Sequence, residues 1–327
     1  ELKEKGLYPY FHALQSRQDV EVQMEGKRRI MLGSNNYLGL TTDPEVIEAG
    51  IRALEQYGTG CSGSRFLNGT LEMHLELEAE LARFLRKPGV VTFGTGFQSN
   101  VGIISALVGR HDYVICDREN HASIYAGCQL SYGKMLRYRH SDMADLEKCL
   151  QRVPETAGAL IVTDGVFSMD GDVAPLKEIC DLADKYNALV WIDESHSAGF
   201  FGKTGRGTPE YCGVQGRIDF INSTMGKAMG GASGGYTCAS KEVVTLLRQK
   251  SRPYLVSNTL APSLVGAAIK TYTMLMESST LPEKVLANTH LFRDRMTAAG
   301  FKLAGAYDHP ICPVMLGDAA LACKFAD

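Results

Sequence analysis

Short apolar runs alternate with longer amphipathic stretches along most of the chain. The runs are of strand length and lie at 90–93, 113–116, 159–162, 188–192 and 219–221. Helical patterns lie between or beside them, at 72–86, 97–108, 144–152 and 175–187. A strand–helix–strand order that repeats in this way is typical of a mostly parallel sheet with helices on both faces. The sequence therefore predicts an α/β fold.

The pattern changes in the last third of the chain, where helices predominate. Helical patterns occupy 241–250 and 262–277, and a further helix begins near 283 and leads into the apolar stretch HPICPVML at 309–316, which predicts a strand. From these changes we predict three parts. They are an N-terminal segment (1–45), a large domain (46–275) and the start of a smaller α+β domain (276–327).

Charge and cysteine usage exclude several classes of protein. Lys and Arg number 34 against 37 Asp and Glu, and both signs are interspersed, which argues against a nucleic-acid binder. No apolar run approaches the ~20 residues that span a bilayer, and ELKEKG at the start is unlike a secretory signal. Nine cysteines without a C-x-x-C pair indicate reduced thiols and no metal site. We expect a cytoplasmic protein, with the mitochondrial matrix as an alternative.

Glycine makes up 34 of the 327 residues, above the average near 7%, and much of it gathers in three loops. The loop at 58–69 contains G-x-G-x-x-G but follows a helical pattern, so we interpret it as irregular structure and not as a nicotinamide site. The loop at 94–96 follows a strand and precedes a helix. That position favours a phosphate at the helix N-terminus, with a plain strand-to-helix turn as the alternative.

Polar side chains follow several of the predicted strands. Asp193 and His196 come after the fourth run, His121 after the second, and Asp164 and Ser168 after the third. Ligands of open α/β sheets bind outside the carboxyl ends of the strands. These residues therefore predict a polar crevice at one edge of the sheet, although a single carboxylate there could equally cap the next turn.

Lys227 lies in the segment STMGKAMGGASGG at 223–235, among small residues. The segment lacks the P-loop pattern, and its glycines leave room for a bulky group on the lysine amine. A desolvated lysine can form a Schiff base, and an aspartate can pair with a pyridinium nitrogen. Together with a phosphate cradle these parts predict pyridoxal phosphate (PLP), and a solvated surface lysine is the alternative.

Five motifs together carry a resemblance that covers nearly the whole chain: NNYLGL, NHASI, DGVFSMDGD, DESHSAGFFG and STMGKAMGGASGGYT. They resemble the α-oxoamine synthases, fold-type I PLP enzymes that condense an amino acid with an acyl-CoA. Residues 158–327 look most like the glycine C-acetyltransferase branch, whereas residues 1–150 look more like bacterial serine palmitoyltransferases. The resemblance implies condensation of glycine with acetyl-CoA, with decarboxylating condensation of serine and palmitoyl-CoA as the alternative.

The resemblance also implies roles for single residues. Lys227 would be the Schiff-base lysine and the base that transfers protons. Asp193 would pair with the pyridinium nitrogen, His196 would bond the phenolic oxygen, and His121 would stack on the ring.

Further residues match the family's cofactor contacts. Backbone at Gly96 and Phe97, together with Thr224, would hold the phosphate. Ser168 would also contact the cofactor.

Ser257 and Asn258 match residues that reach the phosphate from the partner subunit, so the resemblance implies a homodimer with shared sites. Asn36 would lie near the substrate. The family continues beyond Asp327 and has its carboxylate-binding arginine there. We therefore expect a cut form of a longer chain, with the helical pattern at 319–327 stopped in mid-course.

Overall fold

The computed structural model describes residues 1, 3–5, 7–8 and 11–326. Nine strands occur in this part of the chain. They are β1 (Glu21–Met24), β2 (Lys27–Ile30), β3 (Gly89–Phe93), β4 (Tyr113–Asp117), β5 (Lys134–Tyr138), β6 (Ala159–Asp164), β7 (Leu189–Asp193), β8 (Phe220–Thr224) and β9 (Gly235–Ala239).

Seven of these strands form one sheet, in the spatial order β3–β9–β8–β7–β6–β4–β5. Strands β4 to β8 run parallel to their neighbours among themselves, and β9 is antiparallel to both β3 and β8. The first two strands form a separate antiparallel hairpin. The predicted mostly parallel sheet is therefore confirmed.

The helices follow the strands in the predicted alternation. They are α1 (Pro44–Tyr57), α2 (Glu72–Leu85), α3 (Gly96–Leu107), α4 (Ala122–Leu130), α5 (Met143–Leu150), α6 (Leu176–Tyr186), α7 (Thr208–Tyr211), α8 (Lys241–Lys250), α9 (Arg252–Val256), α10 (Pro262–Glu277), α11 (Thr280–Ala298) and α12 (Ala319–Ala326), with a 3-10 turn at Leu40–Thr42. None of the helices in the described ranges has the length and apolar character needed to cross a membrane.

Helices cover both faces of the sheet, which explains why its central strands are continuous apolar runs. In β7, Val190 and Ile192 pack in one buried cluster, and Trp191 between them packs in another. Successive side chains of a strand point to opposite faces, so each cluster belongs to one face. The first cluster includes side chains of α2, α6 and α10, and the second includes side chains of α3, α4 and α8.

Several details differ from the sequence interpretation, including the unpredicted hairpin of β1 and β2 and helix α4. Strand β5 was not predicted because, as an edge strand, it keeps Lys134 and Arg137 exposed and shows no continuous apolar run. Strand β9 was not predicted because it begins at the end of the glycine-rich segment. The predicted strand at 309–316 is wrong, because only Val314 makes a bridge there, to Leu303. The division into three parts stays a prediction.

Candidate active site

A cavity of about 220 Å³ opens at the carboxyl edge of the parallel strands. Strands β4, β6 and β7 each end there in an aspartate. Eight of the residues singled out in the sequence line this one cavity: Gly96, Phe97, His121, Asp164, Asp193, His196, Thr224 and Lys227. The convergence predicted from strand ends is therefore present in the fold.

The carboxylate of Asp193 is buried and fixed by donors from three elements. One oxygen accepts from the side-chain amides of Asn100 on α3, at 2.5 Å, and Asn222 on β8, at 3.2 Å. The other accepts from the backbone N–H of Ser195 at 2.8 Å. These donors fix the orientation of the buried carboxylate. Asp193 is therefore an oriented acceptor at the floor of the cavity.

Asp164 lies beside Asp193 in the strand register, and its carboxyl is buried as well. Burial, followed by the charge of Asp193, raises the pKa of Asp164 well above its usual range. One of its oxygens accepts from the backbone N–H of His121 at 2.7 Å. The neighbouring strand end thus fixes the backbone of His121, the first residue before α4.

Lys227, His196 and Tyr37 form a hydrogen-bonded row on one wall of the cavity. The amine Nζ of Lys227 lies 2.7 Å from Nε2 of His196, and the hydroxyl of Tyr37 lies 2.7 Å from Nδ1 of the same ring. Burial, followed by the lysine charge, lowers the pKa of His196 to about 2. Burial also lowers the pKa of Lys227, against the opposing effect of Asp193 and Asp164. A neutral imidazole thus lies beside an amine that loses its proton more easily than a surface lysine does.

The N-terminus of α3 forms a small cradle at the opposite wall. Thr95 caps the helix by accepting from the N–H of Gln98 at 3.1 Å. Gly96 and Phe97, the first two residues of the helix, line the cavity, and their N–H groups precede the first helical hydrogen bond at the positive end of the helix dipole. A Cβ on Gly96 would lie 2.9 Å from Cβ of Thr224, so the close approach of these two residues requires glycine.

These groups match the donor and acceptor set of PLP. An anion cradle suits its phosphate, an oriented carboxylate suits its pyridinium nitrogen, and a buried amine suits its aldehyde. Among the residues that line the cavity, Gly96, Phe97 and Thr224 would hold the phosphate end of PLP, and Asp193 would bond its ring nitrogen. The residues therefore fit the cofactor that the sequence predicts.

Four predicted residues do not line the cavity: Asn36, Ser168, Ser257 and Asn258. Asn36 accepts a hydrogen bond from the backbone of Thr41. Ser257 lies near the cradle, where its hydroxyl accepts from the Gln98 amide at 3.4 Å, and Asn258 is exposed. Their assigned roles stay predictions.

The sequence interpretation missed several residues that orient the site. Asn100 and Asn222 hold Asp193, and the hydroxyl of Tyr37 holds His196. A buried asparagine inside the apolar strand FINST was a usable signal, because a buried amide needs partners. Tyr37 carried no such signal, since 159 residues separate it from His196.

Comparisons with known proteins agree with this geometry. The aminotransferase class I and II family matches residues 27–327. Mitochondrial 2-amino-3-ketobutyrate coenzyme A ligase of Bos taurus is 49% identical over 98% of this chain and 77% of its own length. Serine palmitoyltransferase of Sphingobacterium spiritivorum is 43% identical, over 97% and 79%. A solved lysine-to-alanine variant of S. paucimobilis serine palmitoyltransferase with bound PLP and myriocin has a TM-score of 0.94 at 40% identity, covering 98% of this chain and 84% of that one.

Proposed function

The chain belongs to the aminotransferase class I and II family and, within it, to the PLP-dependent α-oxoamine synthases, and from this premise we propose that it condenses glycine with acetyl-CoA. The products are 2-amino-3-oxobutyrate and CoA. A bond forms between the glycine Cα and the acetyl carbonyl carbon, the C–S bond of the thioester breaks, and the proton lost from Cα balances the CoA thiol.

The row formed by Lys227 and His196 is the observation that carries this proposal. When bound, PLP supplies an electron sink that stabilises negative charge at the amino acid Cα. The amine of Lys227, with its pKa lowered by burial, is suited to accept the Cα proton and to return it. The neutral ring of His196 holds Lys227 in place without competing for that proton, because its own pKa is far below neutrality.

The carboxylate of Asp193 supports the same chemistry from the other side. Its three hydrogen-bond donors orient it, and a carboxylate next to a pyridinium nitrogen favours the protonated form of that nitrogen. The ring of His121 would pack against the cofactor, and Asp164 fixes the backbone of His121. Ser168, Asn36 and the phosphate contacts of Ser257 and Asn258 belong to this proposal as well.

Serine palmitoyltransferase activity is the second candidate, because one relative with that name is 43% identical in sequence and a solved structure with that name has a TM-score of 0.94 at 40% sequence identity. The choice between the two is measurable as kcat/KM for glycine or serine paired with acetyl-CoA or palmitoyl-CoA, with CoA thiol release as the readout. We expect the glycine–acetyl-CoA pair to give the highest value. Turnover of serine with palmitoyl-CoA and none of glycine would overturn the first choice.

We also propose a homodimer with shared sites. Large apolar side chains are exposed near the cradle, with Phe66 65%, Leu67 75% and Val256 81% exposed. Val256 ends α9, and the loop that follows it is joined to the loop that precedes Phe66 and Leu67 by a hydrogen bond from the backbone N–H of Thr259 to the carbonyl of Gly63. Exposed apolar side chains that lie together are typical of a protein interface.

Complementation tests the shared site. Lys227→Ala and Asn258→Ala chains are each expected to be weakly active as homodimers. After mixing and exchange, half of the dimers contain one native site, so about a quarter of wild-type activity should return. No recovery in mixed dimers would contradict the assignment of Asn258 to the partner's site.

A further inference from the structure

His140 lies outside the cavity, just after β5, and bridges two carboxylates. Its Nδ1 is 3.0 Å from an oxygen of Asp117, and its Nε2 is 2.8 Å from an oxygen of Asp172. The edge of its ring also packs against Phe167, with 4.4 Å between centroids and planes 83° apart. None of these contacts is used by the chemistry proposed above.

Two acceptors on one imidazole require a specific protonation state. A neutral ring has one N–H, whereas the imidazolium has two and can donate to both carboxylates. Burial alone lowers the pKa of His140, but Asp117 and Asp172 outweigh burial and raise that pKa above its ordinary value. On its own segment, the charge of Arg139 is paired with Asp142. The charged groups that face the ring are therefore the two aspartates.

The bridge joins the loops that follow three strands. Asp117 ends β4, and its carboxylate also accepts from the backbone N–H groups of Glu119 and Ser141. Four residues further along, the same loop ends at His121, on the rim of the cavity. Asp172 lies in the loop after β6, which begins directly after Asp164. His140 thus connects the β4 loop to the β6 loop without lining the cavity itself.

We propose that His140 is a positioning residue that, as an imidazolium bonded to Asp117 and Asp172, fixes the β4 and β6 loops and so sets the position of His121. The consequence for the cofactor rests on the proposed function. The imidazolium persists below its titration point and is lost as the pH rises through it. The positioning is therefore complete in mildly acidic solution and weakens in alkaline solution.

The test uses three full-length variants loaded with PLP. The glutamine in His140→Gln can donate from one amide nitrogen only, so the hydrogen bond to one of the two carboxylates is lost. Asp172→Asn keeps the imidazole and removes one charge. His290→Gln is the matched control, because His290 also lies 2.9 Å from a carboxylate, that of Asp308, and stacks on an aromatic ring, but does not line the cavity. The readouts are the PLP dissociation constant and the circular dichroism of bound PLP from about pH 6 to about pH 9.

We expect His140→Gln to weaken PLP binding about tenfold at the acidic end, with the difference from wild type vanishing as the pH rises. His290→Gln should match wild type throughout. Equal affinity and equal circular dichroism of His140→Gln and wild type at every pH would overturn the proposal. If His140→Gln does not fold, Asp172→Asn provides the test. The proposal requires the pH at which PLP affinity and circular dichroism change to be lower in Asp172→Asn than in wild type. An unchanged pH would contradict the proposal.

Histidine NMR on the protein without PLP separates this inference from the proposed function. The His121 resonances should shift as His140 titrates in wild type, and the shift should be absent in His140→Gln. Failure of wild type to bind PLP would contradict the proposed function alone. A His121 chemical shift that stays unchanged while His140 titrates would contradict the positioning role alone.

Discussion

The amine of Lys227 and the imidazole of His196 form a hydrogen-bonded pair, with 2.7 Å between Nζ and Nε2. Their separation in sequence is 31 residues, and the pair forms because β7 and β8 lie side by side and deliver both segments to one edge of the sheet. The lysine charge also helps to keep His196 neutral. Loss of either partner should therefore change the chemistry of the site without changing the core.

Replacing Lys227 with alanine should abolish the visible absorption of an amine-bound cofactor and lower kcat by about 10³-fold or more, since general-base catalysis contributes about 10²–10⁴-fold. The measurement is the visible spectrum together with steady-state turnover. Lys203→Ala, at an exposed position, is the control and should keep both. A Lys227→Ala protein with an unchanged visible band would exclude this lysine as the attachment site.

Removing the hydroxyl of Tyr37 should lower kcat/KM about tenfold, because Nδ1 of the buried His196 ring loses its partner. Tyr37→Phe keeps the ring that packs on Phe200, with 4.7 Å between centroids. Tyr272→Phe removes a hydroxyl from another buried tyrosine, away from the cavity, and is the control. Equal kinetics of these two variants would show that the hydroxyl of Tyr37 has no role in the reaction.

A methyl group at Gly96 should weaken PLP binding by about tenfold or more. The added Cβ would lie 2.9 Å from Cβ of Thr224, so the start of α3 must move away from the position that suits a phosphate. In Gly216→Ala the added Cβ meets nothing within 4 Å, and affinity should stay unchanged. Titration of both proteins with PLP measures the difference, and equal affinities would argue against a phosphate at this helix terminus.

Glu194 should make the protein less stable as the pH rises from about 5 to about 8. Burial raises the pKa of this carboxyl to about 7, so the folded state holds a proton that the unfolded state has released from about pH 4.5 upward. The resulting stabilisation is present below pH 4.5 and is lost as the pH rises through 7. For a pKa raised from 4.5 to about 7 it amounts to roughly 3 kcal/mol in all.

Urea unfolding at the two ends of this pH range measures the effect. Glu194→Gln is neutral throughout and should lose less stability with rising pH than wild type, whereas the exposed-site control Glu178→Gln should follow wild type. Parallel pH profiles for Glu194→Gln and wild type would contradict burial of an ionisable carboxyl as the cause.

The fold was predictable wherever a strand is buried on both faces. Strands β4, β6 and β7 are continuous apolar runs because helices cover both sides, whereas β5, at the sheet edge, keeps charged residues and has no such run. Strand β9 was not predicted because it starts within a glycine-rich segment, which interrupts the apolar pattern of a strand. The stretch 309–316 is apolar without forming a strand, because His309 is buried there and bonds the backbone of His196 at 2.7 Å instead of a neighbouring strand.

The sequence predicted those site residues whose own side chains are suited to contact the cofactor. Asp193, His196 and Lys227 follow strands or lie among glycines, and the fold brings them together. Asn100 and Tyr37 act through hydrogen bonds to those residues, across 93 and 159 positions of sequence. Such partners depend on the packing of α3 and of the N-terminal segment against the sheet, which spacing along the chain does not encode.

Direct competition tests the central claim most sharply. Equal concentrations of glycine labelled with ¹³C at Cα and unlabelled serine are supplied with equal acetyl-CoA and palmitoyl-CoA, and the products are identified by mass. The account predicts a labelled four-carbon amino keto acid, or its three-carbon decarboxylation product, in step with CoA release. A long-chain unlabelled amino ketone as the main product would contradict glycine and acetyl-CoA as the substrates.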